Sequence, residues 1–145
     1  KLIYDNNNLN RLRFLGFVLK DKLKVLPDFH TAYIAISREE IKEYQVDTGD
    51  TEGIVNYALS LKGVVMGVVA IDRKEHVKLS FRSVGDFDVN TFARQYFEGG
   101  GHKNASGGKS DTDLEGTVER LFEALNENKN KLAQAYELYF NNTLN

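Results

Sequence analysis

Gly99-Gly100-Gly101-His102-Lys103-Asn104-Ala105-Ser106-Gly107-Gly108 is the stretch around which the sequence is organised, because five of the chain's 12 glycines lie in it. Glycine lacks a Cβ, so it permits positive φ and lets a ligand come close to the backbone. Three glycines followed by a polar segment can line up main-chain N–H groups, and such arrays bind anions, above all phosphate. Histidine adds a side-chain donor whose charge can change near neutral pH. The stretch therefore predicts an anion-binding loop, although a flexible surface turn could also contain three glycines.

The length and composition exclude several classes of protein. The 145 residues suffice for one ordinary domain, expected to span 1–145. The chain carries 19 Lys and Arg against 21 Asp and Glu residues, a net charge of −2, which argues against a broad surface for long nucleic acids. The absence of cysteine excludes disulfides and thiolate metal sites and fits a reducing, cytoplasmic location. No apolar run approaches the roughly 20 residues that span a bilayer, so no membrane partner is expected.

Hydrophobic periodicity predicts an α/β domain with one mixed sheet of about four or five strands flanked by helices. The strands are predicted at 23–26, 32–36, 64–71 and 76–82, the third of them buried on both faces. The helices are predicted at 8–20, from Ser37 to about Tyr44, at 52–62 behind a cap at Asp50 or Thr51, and after Asp88. A long C-terminal helix is expected to open with a capping box at Thr112, and the polar residues 126–130 could interrupt it.

The predicted strand before the glycine stretch carries a second candidate for anion binding. Period-two geometry puts Ser80 and Arg82 on one face of this strand, opposite the apolar Leu79 and Phe81. A guanidinium raised from a rigid strand can match two phosphate oxygens at once, and a serine hydroxyl can donate a further hydrogen bond. Taken alone, Arg82 is equally a solvated strand residue.

His102 is a poor candidate for a metal ligand. The other two histidines, His30 and His76, lie in unrelated segments, and no cluster of His, Asp and Glu has metal-binding spacing. The carboxylates of 47–52 could imitate a calcium loop, but they lack the twelve-residue ligand pattern, so a capping role is favoured. His102 is therefore interpreted either as a phosphate or sugar contact or as a histidine bonded to the backbone.

The pattern Gly99-Gly100-Gly101-His102-x-x-Ala105-x-Gly107-Gly108 resembles the glycine–histidine signature of the DHH-associated C-terminal domain. This domain is the substrate-binding half of the DHH phosphoesterases, a family of nucleases, oligoribonucleotide phosphodiesterases and relatives. The stretch Asp50-x-Glu52-Gly53-Ile54-Val55-Asn56 is similar to the bacterial oligoribonuclease (nanoRNase) and bisphosphorylated-adenosine phosphatase branch. The resemblance extends over the whole chain.

The resemblance implies which residues bind the substrate. In the family, a Ser-x-Arg strand precedes the glycine loop, and both contact the phosphate or nucleotide. The implied contacts in this sequence are Ser80, Arg82, Gly99, Gly100, Gly101, His102, Asn104 and Ser106.

The resemblance also implies where the catalytic groups lie. In the family, two divalent metal ions, typically manganese, are held in an N-terminal half that contains an Asp-His-His triplet, and no such triplet occurs here. The chain is therefore expected to hold no catalytic residue and no metal, to work with an N-terminal DHH catalytic domain, and to hydrolyse nothing alone. The parent is expected to be a hydrolase acting on short oligonucleotides or nucleotide phosphates.

The sequence leaves two questions open, the class of function and the substrate. The chain could instead be a non-catalytic nucleic-acid-binding or assembly module, as related domains at the end of alanyl-tRNA synthetases are, and it could form a homodimer. Nor does the sequence separate short RNA, bisphosphorylated adenosine, cyclic dinucleotides and single-stranded DNA ends as substrates. Four aromatic residues could stack on bases but are more often core or rim residues: Tyr4, Tyr57, Tyr96 and Phe97.

Overall fold

Six strands form one mixed sheet in the computed structural model, which describes residues 8–51 and 53–141. The strand order is β1-β2-β3-β4-β6-β5, and of these neighbours only β2 and β3 run parallel. The strands are β1 Leu23–Leu26, β2 Thr31–Ile36, β3 Met66–Asp72, β4 Val77–Ser83, β5 Gly100–His102 and β6 Ala105–Ser110. The predicted α/β class is confirmed, and the additional strands are the two that form a hairpin within the glycine stretch.

Six α-helices accompany the sheet in the described residues: α1 Leu9–Phe17, α2 Arg38–Glu43, α3 Ile54–Leu59, α4 Val89–Tyr96, α5 Leu114–Glu127 and α6 Lys129–Tyr136. The first predicted helix, 8–20, is α-helical only to Phe17, and residues Val18–Lys22 continue it as a π-helical turn. The predicted helix 52–62 is shorter, and a turn at 60–63 separates it from β3. The predicted interruption of the C-terminal helix is confirmed at Asn128, which separates α5 from α6. No helix of the described residues is long and apolar enough to cross a membrane.

Helix caps explain two of these boundaries. The predicted capping box at Ser37 is confirmed: its Oγ accepts from Glu40 N–H at 3.1 Å, and Glu40 Oε1 accepts from Ser37 N–H at 2.8 Å. The predicted capping box at Thr112 is wrong by one residue. Asp113 is the N-cap of α5 and accepts from Gly116 N–H at 2.8 Å. The Thr112 hydroxyl lies instead within hydrogen-bond distance of the Ser110 and Thr117 hydroxyls.

Apolar side chains cover both faces of the central strands, as predicted for the run 64–71. On one face, β3 and β4 contribute Val68, Ala70, Leu79 and Phe81 to a core with the buried residues of α4, α5 and α6. On the other face, the second core contains the following residues of β2, β3, α1 and α3: Ala32, Ile34, Ile36, Val69, Ile71, Phe14, Ile54, Val55 and Ala58. The sheet is therefore the middle layer between two sets of helices.

Gly67 allows α3 to lie directly on β3. A Cβ at this position would lie 3.1 Å from both Leu59 N and Val55 O, and 3.3 Å from Ala58 Cβ. Glycine within a strand marks such a close approach of another backbone. Helix α3 contacts β2, β3 and the adjacent β4, whereas β5 and β6 are packed by α4 from the opposite face. On the α3 side of the sheet, β6 and β5 thus lie beside this helix and not under it, and β4 lies at its edge.

We predict that Gly67→Ala lowers the free energy of unfolding by about 1–3 kcal/mol, the usual cost of overpacking a filled contact. Urea denaturation measures this change. Gly16→Ala is the matched control, because a Cβ at Gly16 has no neighbour within 4 Å and the residue lies in α1. Removing a helix-interior glycine should stabilise by about 0.5–1 kcal/mol. Equal unfolding free energies for the two variants would contradict the close packing of α3 on β3.

Candidate functional site

Strand β4 presents the predicted polar face. Val77, Leu79 and Phe81 are buried, whereas Lys78 is exposed and Ser80 and Arg82 are half-buried on the other face, so the alternation predicted for this strand is confirmed. Ser80 pairs with Val69 of β3, and Arg82 pairs with Gly67. The polar side chains therefore rise on the side of the sheet that α3 partly covers.

A cleft of about 330 Å³ lies between the N-terminal end of α3 and β4. Val69 and Ile71 of β3 form its apolar floor. Its other described lining residues are Thr51, Gly53, Val55, Asn56, Arg73, Lys78, Ser80 and Arg82. Three cations and no carboxylate occur among these, so the described lining favours an anion even though the whole chain is slightly acidic.

The strand register brings His102 to the same side as Arg82. Arg82 pairs with Ala105 of β6, and Ala105 pairs with His102 of β5. Directly paired residues share a face, and neighbouring strands are about 4.8 Å apart, so the two backbones are roughly 10 Å apart. His102 is exposed, and only the small Ala105 lies between it and Arg82. Two of the predicted binding residues, far apart in sequence, are thus placed in one row across the sheet.

The glycine stretch differs from the expected loop of free amides. It follows the carboxyl end of α4 and folds back as the β5–β6 hairpin. The Gly99 amide donates to Ala93 O at 3.2 Å, and the Gly101 amide donates to Asn90 Oδ1 at 2.8 Å. These two amides are consequently taken up within the chain, because the hairpin packs against α4.

Three of the five glycines are required by close packing. A Cβ on Gly99 would lie 1.9 Å from Gly107 O, one on Gly101 would lie 2.8 Å from Ala105 O, and one on Gly108 would lie 2.7 Å from Phe97 O. A Cβ on Gly107 would meet only Leu79 O, at the ordinary contact distance of 3.4 Å. A Cβ on Gly100 would lie 3.0 Å from Asn90 Oδ1 of α4, a tight contact. Packing therefore explains Gly99, Gly101 and Gly108 and restricts Gly100, but it leaves Gly107 unexplained.

Gly107 lies in the middle of the open face. It pairs with Ser80 on one side and with Gly100 on the other. Arg82, Ala105 and His102 form one row across the sheet, and Ser80, Gly107 and Gly100 form the next row. The residue in the middle of each row is small. This floor lets a ligand lie close to the backbone between the arginine and histidine side chains.

The structure places Asn104 and Ser106 apart from Arg82. The Ser106 hydroxyl is buried on the α4 side of the sheet and donates to Val89 O at 2.7 Å. The Asn104 amide donates to Ser83 Oγ at 2.9 Å and to Gly85 O at 3.1 Å. Both side chains hold the hairpin against the rest of the domain, and a direct role for either in binding stays a prediction.

The cleft explains why the 50–56 stretch is distinctive. Gly53 has a φ of 83° at the N-cap of α3, a left-handed conformation that glycine adopts readily. Thr51 and Asn56 line the cleft on either side of this turn, whereas Glu52 lies outside the described residues. The sequence assigns no chemistry to this stretch or to Arg73, because only the packing of α3 on β3 brings them beside β4.

The aromatic residues considered for base stacking differ in exposure. Phe97 is fully buried, while Tyr57 on α3 is exposed. Tyr96 donates its hydroxyl hydrogen to Glu127, and burial, together with this carboxylate, raises its pKa. Tyr4 lies outside the described residues. None of the three described residues lines the cleft, so base stacking by these side chains stays a prediction.

Within 8–51 and 53–141, no three His, Cys, Asp or Glu side chains are grouped to hold a metal ion. The described residues therefore do not fit the two divalent ions that the resemblance implies for the parent protein.

Comparison with known proteins is consistent with this architecture. The DHHA1 domain matches residues 28–131 of the chain. An exopolyphosphatase-related protein from Bacteroides fragilis has 38% sequence identity and a TM-score of 0.86, over 90% of this chain and 38% of that one. The chain thus spans less than half of that relative's length.

A more distant structure shares the fold alone. A pGpG-specific phosphodiesterase from Vibrio cholerae has 13% identity and a TM-score of 0.58, over 87% of this chain and 40% of that one. No curated protein shows significant sequence similarity to the chain.

We predict that Gly99→Ala lowers the free energy of unfolding by at least about 1–3 kcal/mol, because the new Cβ overlaps the backbone of β6. Gly107→Ala is the matched control within the same hairpin and should change it by no more than about 0.5 kcal/mol. Thermal or urea unfolding of both variants measures the difference. A Gly99→Ala variant as stable as the Gly107→Ala variant would mean that β5 does not pack on β6 as described.

Proposed function

This chain belongs to the DHHA1 domain family, and on that premise we propose that it is the substrate-binding half of a DHH-family phosphoesterase. The parent protein would hydrolyse short oligonucleotides or nucleotide phosphates. The relative from Bacteroides fragilis supports a phosphate-containing substrate, since its description relates it to exopolyphosphatases. The 50–56 stretch favours the oligoribonuclease branch, because it resembles that branch and four of its residues line the cleft beside Arg82: Thr51, Gly53, Val55 and Asn56.

The observation that carries the proposal is Arg82 at the open half of the sheet. Its Nη1 donates to Phe81 O at 3.2 Å, and none of the ion pairs within the described residues involves it. A half-buried guanidinium that has no carboxylate partner among the described residues can offer its planar fork to two phosphate oxygens. The strand holds its backbone rigidly, so little ordering entropy is lost on binding.

Each residue of the face has a separate part in binding. Arg82 neutralises and orients the phosphate, while Ser80 donates a hydroxyl from the neighbouring position on the same face. His102 donates a hydrogen bond from the far edge of the floor, and Gly107 keeps that floor low. Ser106 and Asn104 act indirectly, by holding the hairpin that carries His102.

Cleavage would take place on groups outside this chain. The parent's DHH catalytic domain would supply two divalent metal ions, expected to be manganese, and would close on the substrate from the other side. The present domain would contribute binding energy and orientation, which can convert a bimolecular encounter into a well-aligned reaction.

We predict that Arg82→Ala weakens nucleotide binding by roughly ten- to hundred-fold, equivalent to about 1.5–3 kcal/mol for hydrogen bonds to a charged group. His102→Ala should weaken it by a smaller factor. NMR titration of the amide signals with GMP measures both, and the shifts in the wild-type chain should concentrate at residues 80–83 and 99–108. Lys24→Ala, an exposed residue of the opposite edge strand, is the control for lost positive charge and should bind normally.

Gly107→Ala tests whether the ligand lies close to the backbone without changing the stability of the domain. The added methyl stands on the floor between Ser80 and Gly100, so GMP binding should weaken while the unfolding free energy stays the same. Unchanged GMP binding by Arg82→Ala, His102→Ala and Gly107→Ala together would remove the basis of the proposed site.

We predict that the purified chain does not hydrolyse a 5′-phosphorylated dinucleotide, with or without added Mn²⁺. Chromatography of the reaction products over several hours measures turnover. Arg82→Ala serves as the check for a contaminating nuclease, because contaminant activity would not depend on this residue. Hydrolysis that requires Mn²⁺ and is lost in Arg82→Ala would overturn the assignment of catalysis to another domain.

A further inference from the structure

We propose that the open face holds a second anion subsite, formed by Lys78 and Lys109 with Arg73 beside them, at the end of the cleft away from Arg82. The subsite would bind a second phosphate of the same ligand, which would then lie along β4. This inference rests on the proposed function, because it extends the site that Arg82 begins.

A pair of like charges carries the inference. Lys78 of β4 pairs directly with Lys109 of β6, and both residues are exposed. In an antiparallel pair, directly opposed residues share a face, and like charges in that position are destabilising. None of the ion pairs formed within the described residues involves either lysine. The repulsion between the two ammonium groups is therefore not relieved by a carboxylate there, and a bound anion would relieve it.

Arg73 adds a third cation at this end. Its backbone N–H donates to His76 O at 2.9 Å in the β3–β4 turn, which fixes its Cα next to the start of β4. Its Nη2 lies 3.4 Å from Thr51 Oγ1, and its side chain lines the cleft together with Lys78. The guanidinium is held at the cleft by a hydroxyl, and neither ion pair formed within the described residues involves it.

The spacing along β4 defines the ligand. Lys78 and Arg82 are four residues apart on one face, which corresponds to about 13 Å along the strand. Ser80 lies midway between them, opposite the low floor at Gly107. The single phosphate of a mononucleotide cannot occupy both ends of this span, whereas an oligonucleotide offers more than one phosphate. The favoured ligand is therefore an oligonucleotide with at least two phosphates.

The experiment compares pGpG with GMP on the wild-type chain and on two double variants. Lys78→Gln with Lys109→Gln removes the proposed subsite. Lys24→Gln with Lys62→Gln removes the same charge from exposed residues on other parts of the surface. Affinities are measured by calorimetry at several salt concentrations.

The wild-type chain should bind pGpG on the order of tenfold more tightly than GMP. The Lys78/Lys109 variant should lose this advantage, so that its affinities for pGpG and GMP become similar. Its salt dependence for pGpG should also fall, by a log–log slope of about one for each lysine that contacts phosphate. The Lys24/Lys62 variant should behave as wild type.

The affinities for GMP and pGpG distinguish the absence of the second subsite from the absence of the site at Arg82. A wild-type chain that binds neither ligand would refute the proposed function. Normal GMP binding without a preference for pGpG, or equal losses in both double variants, would overturn the second subsite alone.

A stability measurement provides an independent readout. Without ligand and at low salt, Lys109→Gln should raise the thermal midpoint, because it removes the repulsion from Lys78. In a Lys78→Gln background the same substitution should have a smaller effect. Additive effects of the two substitutions would contradict the lysine repulsion on which the subsite rests.

Discussion

The antiparallel pairing of β4 with β6 is the constraint on which the candidate site depends. It places Lys78 opposite Lys109, Ser80 opposite Gly107 and Arg82 opposite Ala105. A slip of one residue would turn each of these side chains to the other face of the sheet, where Leu79 and Phe81 now pack against the helices. The hydrophobic core under α4 and α5 therefore selects the register, and the register in turn aligns the polar groups. Stability and binding geometry are decided by the same alternation.

The glycines of the hairpin serve two different physical purposes. Gly99, Gly101 and Gly108 are close to backbone or side-chain atoms of the hairpin and of Phe97, so a larger residue would push the strands apart. Gly107 has room for a methyl, so packing does not require glycine there, and the close approach of the proposed ligand would account for it. A glycine-rich stretch thus cannot be interpreted as a whole, since packing and ligand access make the same demand on the sequence.

Local signals predicted much of the fold. The alternation of 76–82, the apolar run of β3 and the caps at Ser37 and Asp88 are each decided by a few neighbouring residues, and the structure confirms them. The β5–β6 hairpin was missed because glycine is uncommon in strands and these strands have no apolar alternation. The amides of Gly99 and Gly101 were predicted to be free, but their partners on α4 are tertiary neighbours. Arg73 and Asn56 were missed for the same reason, because only the tertiary packing of α3 on the sheet brings them to the cleft.

A site for an anion imposes a cost on the empty domain. One face of the sheet carries three cations: the half-buried Arg82 and the opposed pair Lys78 and Lys109. No carboxylate of the described lining neutralises their charges. A carboxylate there would stabilise the empty domain but would compete with phosphate for the same donors. The overall balance of 19 basic and 21 acidic residues shows that acidic groups are abundant elsewhere. Their absence from the described lining therefore does not follow from the composition, and it suits the phosphate ligand that we propose.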